Sequence, residues 1–267
     1  MSSVDILVLL GTGVFAGLLG GLLGIGGSIV MIPALTLLLE KDYHLAQATA
    51  MIVNVFVAIP AVMRHGRSGS VRWDVVRMLL PFGLVAILIG VAVSNELPSL
   101  VLERFFGVFL IYIIGVNVRK LLTRRNIDEV APDHVSWWRS GIVGSITCFF
   151  AGLLGIGGGI IAVPLLQRIA SLPLRQCIGT SSALMCITAV FGATAKNLML
   201  SRTMDGAVTP LDAGALALGL IPFAIVCSYL GAMLTHRLPL MWVRIVFIVL
   251  LSLACLKFLG VPITPRG

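Results

Sequence analysis

Apolar stretches of roughly bilayer length occupy most of this chain, and they constrain its fold more than any single motif. A membrane span needs about 20 mostly apolar residues. Stretches of that kind run over 4–39, 46–63, 75–94, 101–118, 138–170, 176–199, 212–235 and 241–259, with short connectors between them. Composition agrees: 58% of the 267 residues are hydrophobic and 11% are charged, where a soluble domain carries about 25% charged residues. A chain with so little polar surface cannot cover itself in water, which excludes soluble globular, disordered, fibrous and coiled-coil folds. The expected fold is all-α, a polytopic integral membrane protein of about eight transmembrane segments. Trp73, Trp137, Trp138 and Trp242 each stand at the edge of a stretch, where an indole ring favours the headgroup region.

The net charge is +8. In a soluble protein that would suggest nucleic acid, but here the basic residues lie between apolar runs, where the positive-inside rule puts them. No nucleic-acid partner is expected; the lipid bilayer is. Cys148, Cys177, Cys186, Cys227 and Cys255 all fall in apolar stretches without a CxxC pair, so they read as packing residues and not as a disulfide or metal framework. The N-terminal MSSVDILVLLGTGVF has no basic n-region, and its apolar run outlasts a signal peptide, so it reads as a retained membrane segment.

The chain is duplicated. GLLGIGGSIVMIPALTLL, Gly21 to Leu38, matches GLLGIGGGIIAVPLLQRI, Gly152 to Ile169, at an offset of 131. Gly24, Gly26, Gly27 and Pro33 fall on Gly155, Gly157, Gly158 and Pro164, and Ala48-Thr49-Ala50 falls on Gly179-Thr180-Ser181. After a ten-residue insertion the offset is 141, so that Pro81 meets Pro222, Gly90 meets Gly231 and Leu97-Pro98 meets Leu238-Pro239. The expected organisation is a first membrane repeat over 1–118, a cytoplasmic connector over 119–139 and a second membrane repeat over 140–267. Each repeat holds four segments, the first of them broken at a glycine-rich motif.

Segments 4–39 and 138–170 are too long for one straight span, because a helix of that length would reach on the order of 50 Å against roughly 30 Å of hydrocarbon. Both are interrupted where glycines cluster and helix propensity is lowest. The expectation is a helix, a break near mid-depth, then a shorter helix from Ser28 or Gly159. Pro33 and Pro164 would lie about a turn into it, and Pro81 and Pro222 would lie early in later spans. If each broken segment crosses once, the repeats are parallel; if each dips in and returns, every half has three crossings plus a hairpin and the repeats are inverted. Either way 13 of the 19 Lys and Arg residues fall on one side, so charge does not choose. Both arrangements put 64–77 and 119–139 in the cytoplasm, and broken helices at a repeat interface are a recurring transporter design that favours inversion.

The twin breaks are the main functional signal. Unwound backbone in a bilayer is tolerated where protein buries it or a watery cavity solvates it. The half-helix that follows presents unpaired N–H groups and the positive end of a dipole, which suit an anion. Candidate binding residues are therefore Gly24, Gly26, Gly27, Ser28, Gly155, Gly157, Gly158 and Gly159. Thr49, Thr180, Ser181 and Ser182 could donate hydroxyls to an oxyanion or bond their own i−4 carbonyls, and Asn54 offers an amide in an apolar run. Gly13, Gly17 and Gly21 form a small-residue ridge suited to helix packing. Lys196 could attract an anion, but snorkelling to the interface is the better expectation; Arg64-His65 occupies the matching end of the second segment.

Other chemistry lacks residues to carry it. All eleven acidic residues lie at segment ends or in connectors, which disfavours a cation carrier with mid-depth carboxylates. There is no HExxH or GxSxG motif, and His44, His65, His134 and His236 lack metal spacing. Gly11 to Ala16 matches a GxGxxA fingerprint without the βαβ context that would give it meaning. No catalytic residue, metal or cofactor is expected, and the chain is not expected to be an enzyme.

At Gly21 to Pro33, at Gly152 to Pro164 and at Arg175-Gln-Cys-Ile-Gly-Thr-Ser181, the chain resembles the sulfite exporter TauE/SafE family of membrane transporters. The resemblance covers nearly the whole chain. It implies a multi-pass protein of the cell inner (plasma) membrane with two similar four-helix units, handling small sulfur-containing anions such as sulfite or sulfoacetate. Ala48-Thr49-Ala50 departs from Gly179-Thr180-Ser181, so the first half would donate fewer hydroxyls. The expectation is a secondary transporter or facilitator for a small oxyanion held between the two breaks. The alternative is a non-transporting membrane subunit that stabilises a partner complex.

Overall fold

The computed structural model describes residues 3–122, 135–203 and 208–235, together with positions 248, 249, 251, 252, 254–256 and 258. Most of the connector 119–139, Trp242 and much of the last apolar stretch lie outside the described residues. Among those described there is no strand. The helices in chain order are α1 (Ser3–Leu23), α2 (Ser28–Leu37), α3 (Tyr43–Arg67), α4 (Trp73–Glu96), α5 (Ser99–Leu122), α6 (Trp137–Leu154), α7 (Gly159–Ile169), α8 (Leu174–Thr203) and α9 (Pro210–Leu234). Six of them contain a stretch long and apolar enough to cross a membrane: Asp5–Leu23, Tyr43–Arg67, Trp73–Glu96, Ser99–Val116, Leu174–Arg202 and Pro210–Leu234.

Both long segments are broken at the glycine motif. Gly24, Gly26, Gly155, Gly157 and Gly158 all have φ between 64° and 77°, a left-handed region in which an L side chain costs about 1–2 kcal/mol. The second helices start at Ser28 and Gly159, with Pro33 and Pro164 at the sixth residue of each. Pro81 and Pro222 differ from expectation: they lie well inside α4 and α9, beyond the first turn. Within a bundle, neighbouring helices and local adjustments can satisfy the carbonyls that such prolines release.

Helix direction follows from which residues meet. A methyl group placed on Gly13, Gly17 or Gly21 of α1 would strike the carbonyl oxygens of Leu220, Ala224 or Ser228 of α9, so these two helices run parallel at very close range. Gly144 and Gly152 of α6 press on the carbonyls of Leu79 and Ile87 of α4 in the same way. With no hydrophobic effect between helices in lipid, such backbone approach is a main source of packing energy. In contrast, α3 and α8 run antiparallel: His44 meets Lys196 near one end, and the Ser70 carbonyl just past α3 abuts Gly179. α2 doubles back along α1, so that Gly27 packs on Ala16, and Gly158 at the head of α7 packs on Thr147 and Ala151 of α6.

Side chains from other elements complete the frayed carbonyl ends of α1 and α6, which a buried helix terminus requires. The Gln47 amide donates to Gly152 O at 3.0 Å and Leu153 O at 3.1 Å, and the Tyr43 hydroxyl donates to Leu154 O at 3.0 Å. At α1 the Thr235 hydroxyl donates to Leu22 O at 2.8 Å, and His65 Nε2 meets Gly21 O at 3.3 Å. Outer faces are apolar where lipid would lie, with Leu7, Val85, Val108 and Leu218 all more than half exposed. Trp73, Trp137 and Trp138 are also exposed, at the first residues of α4 and α6.

Candidate functional site

The two glycine breaks meet inside the bundle. A methyl group on Gly159 would collide with the Gly24 carbonyl and Ile25 Cα, so the second break sits directly on the first. Gly26 and Gly157 face the same two side chains: a methyl on either would lie 2.9 Å from Met185 Sδ and 2.9–3.0 Å from the Asn54 amide. Asn54 and Met185 are 131 residues apart and stand at corresponding places on α3 and α8.

Asn54 serves the first break. Its Oδ1 accepts the Gly27 N–H at 3.1 Å, and its Nδ2 donates to Ser28 Oγ. Gly27 takes an ordinary right-handed conformation with φ −88°, whereas Gly158 at the same point of the second break has φ 77°. The residue corresponding to Asn54 there is Met185, whose thioether cannot replace an amide as donor and acceptor. Thr147, which packs on Gly158, keeps its hydroxyl buried with no hydrogen-bond partner among the described residues; its counterpart 131 residues earlier is Ala16.

A cavity of about 10 Å³ opens beside the second break, lined by Met51, Asn54, Ile87, Ala151, Gly157, Thr188 and Ala189. That is about the volume of a single water site. Asn54, Gly157 and Thr188 bring polar groups to its lining, and the Thr188 hydroxyl donates to Leu184 O at 3.0 Å. One wall is a methionine, Met51, and a second, Met185, packs against Gly157 beside it; methionines repack more readily than branched side chains.

The remaining expected residues lie apart from the cavity. Thr49 Oγ1 reaches Ala213 O at 3.5 Å, where α3 crosses α9, and Thr180 Oγ1 accepts the Arg72 N–H at 3.1 Å, where α8 meets α4. Ser181 Oγ donates to Gly24 O and Ile178 O, each at 3.0 Å, and Ser182 Oγ donates to Ile178 O at 2.9 Å. Gly155 packs on the Gln47 side chain. Lys196 does not snorkel: it is 0% exposed, because acceptors on α3 and α4 replace the water that its ammonium would otherwise seek.

Met51, Met185, Thr147 and Thr188 escape a reading based on polar motifs in each half. Met185 was within reach, since the repeat offset maps it onto Asn54. Among the described residues, no group of three or more His, Cys, Asp or Glu residues is placed to hold a metal.

A family model described as "Sulfite exporter TauE/SafE" matches residues 9–258. The MamO protein of Paramagnetospirillum magneticum, named a probable membrane transporter, is 26% identical over 97% of this chain. This chain spans only 45% of that relative's length. A probable membrane transporter of Haemophilus influenzae is 28% identical over 88% of this chain and 90% of its own. YunE of Bacillus subtilis, of the same description, is 25% identical over 96% and 97%.

Proposed function

Because the chain belongs to the sulfite exporter TauE/SafE family, whose relatives are named membrane transporters, we propose that it moves a small, sulfur-containing oxyanion across the cell inner membrane. The observation that carries this reading is the meeting of two broken helices at a cavity flanked by Gly157 and Asn54. The anion is held at the second break. There Gly157, two residues before α7, borders a space that no side chain has filled, and the positive end of the α7 dipole would draw an anion toward it. At the first break, Asn54 takes the Gly27 N–H that an anion would need.

Sulfite has four heavy atoms, more than a space of about 10 Å³ admits. The arrangement described is therefore a closed one, and loading requires Met51 and Met185 to swing aside. The architecture that supports such opening is two inverted repeats. Segments α3 and α8 correspond in sequence and run antiparallel, so the axis relating them lies across the helices. The return of α2 along α1 makes each broken segment a hairpin, and such repeats commonly rock against each other about a central site.

Tight glycine packing also favours a second reading, a non-transporting subunit whose breaks serve assembly. Flux separates the two. Purified protein in liposomes is given sulfite, thiosulfate, methanesulfonate, sulfoacetate and acetate in turn. Saturable flux of a sulfur oxyanion, lost about 100-fold or more in Gly157→Val at unchanged membrane expression, is the expected result for binding energy concentrated at one site. Absence of flux for every anion, or unchanged flux in Gly157→Val, rejects the transporter site.

A further inference from the structure

Lys196 is fully buried, and no carboxylate is among its hydrogen-bond partners. Its Nζ donates to Asn95 Oδ1 at 2.7 Å, to His44 Nδ1 at 2.9 Å and to Ser94 Oγ at 3.2 Å. His44 carries its ring proton on Nε2, which faces the Leu97 carbonyl at 3.1 Å, since a carbonyl can only accept. Nδ1 is then a lone pair for the ammonium. None of the three acceptors is a carboxylate.

The titratable groups around Lys196 can be named. On α3 it is His44. Just before α3, Asp42 is already engaged by the His44 N–H and the Ser99 hydroxyl, each at 2.7 Å, and Glu103 of α5 lies within electrostatic reach of that aspartate. α4 meets Lys196 with neutral Ser94 and Asn95, while its Glu96 is exposed. A buried ammonium lacking a paired carboxylate is costly in its charged form, and neutral acceptors offset part of that cost. A neutral amine, with two N–H groups and a lone pair, fits the same pocket once the Ser94 hydroxyl turns to donate to it.

A run of hydrogen bonds joins this lysine to the open break. The Ser94 hydroxyl donates to Gln47 Oε1 at 3.0 Å, and Gln47 Nε2 caps the Gly152 and Leu153 carbonyls that lead into that break. Gly155 rests on the Gln47 side chain. A negative charge arriving at Gly157 favours the charged form of the lysine, and by reciprocity a protonated lysine favours the anion.

We propose that Lys196 is the group through which a proton accompanies the anion: it gains one proton as the anion loads and gives it up as the anion leaves. This rests on the transporter reading above. One proton crosses with one monovalent anion, no net charge moves, and the lysine resets as a neutral amine that donates to Asn95 Oδ1 and His44 Nδ1 while the Ser94 hydroxyl turns to donate to its lone pair.

The test uses proteoliposomes containing a pH-sensitive dye and external methanesulfonate, whose conjugate acid is too strong to carry protons itself. An inward proton gradient should speed wild-type uptake about tenfold, within the usual span of coupling between sites, and the lumen should acidify with the anion. Lys196→Met, and Lys196→Arg, whose guanidinium does not titrate, should show slower but measurable anion exchange and a gradient response reduced to about onefold. Lys196→Arg keeps charge and donors should Lys196→Met fail to fold. Gradient-driven acidification that survives in either folded variant, or wild-type flux indifferent to the gradient, overturns the coupling and leaves the transporter reading standing. Loss of all exchange in both folded variants makes Lys196 a binding residue and also overturns it. No wild-type exchange of sulfite, thiosulfate, methanesulfonate or sulfoacetate overturns both.

Discussion

The two glycine breaks share a sequence and a backbone path, yet the protein finishes them differently. At the first, Ala16 packs on Gly27, Ser28 starts α2, and Asn54 ties the two together through Gly27 N–H and Ser28 Oγ. At the second, the corresponding residues are Thr147, Gly158, Gly159 and Met185, and among the described residues no side-chain hydrogen bond ties them. The Thr147 hydroxyl has no hydrogen-bond partner among the described residues, and a small cavity remains beside Gly157. The two copies of the motif thus differ at three side chains, which tie the first break together and leave a small space beside the second.

Breaking the strut should have the largest effect. Asn54→Ala leaves the Gly27 N–H and the Ser28 hydroxyl buried without their partner, at about 1–3 kcal/mol for each unsatisfied group. Thermal unfolding in detergent should show a drop of several degrees. An unchanged midpoint would mean that the first break does not depend on its amide.

Met185→Asn would sharpen the comparison by giving the second break the residue that closes the first. An amide there can accept the Gly158 N–H and compete with an anion for it. Flux should fall about tenfold, equal to about 1.4 kcal/mol of lost binding, while stability holds or rises. Faster flux in this variant would show that the open break is not what the anion uses.

Thr147→Ala converts the second break to the first break's Ala16 and removes a buried hydroxyl without a partner. Such a change is close to neutral or mildly stabilising, by no more than about 1 kcal/mol. A large loss of stability, measured by the same unfolding assay, would show that the hydroxyl has a role in the empty protein.

Much of this was legible in the sequence, because hydropathy and glycine chemistry act locally. The breaks begin α2 and α7 at Ser28 and Gly159, as the long apolar segments required, and the Gly13, Gly17 and Gly21 ridge packs on a neighbouring helix. The site was legible only in part. Thr49, Thr180, Ser181 and Ser182 have the right chemistry for an oxyanion, but their hydroxyls meet other groups of the protein. Which hydroxyls are so used depends on how helices cross, and spacing along one helix does not encode that. Lys196 misled for the same reason: its three acceptors come from α3 and α4, more than 100 positions away in the chain. Pro81 and Pro222 sit deeper in their helices than a capping rule allows, since packing partners excuse what an isolated helix would not.

An anion is expected to occupy the second break and leave the first alone, and ¹⁵N-glycine resonances followed during a sulfite titration address this most directly. Saturable shifts at Gly157, Gly158 and Gly159, with Gly26 and Gly27 shifting far less, are the predicted result. Equal shifts at both breaks, or none at either while transport saturates, would contradict it.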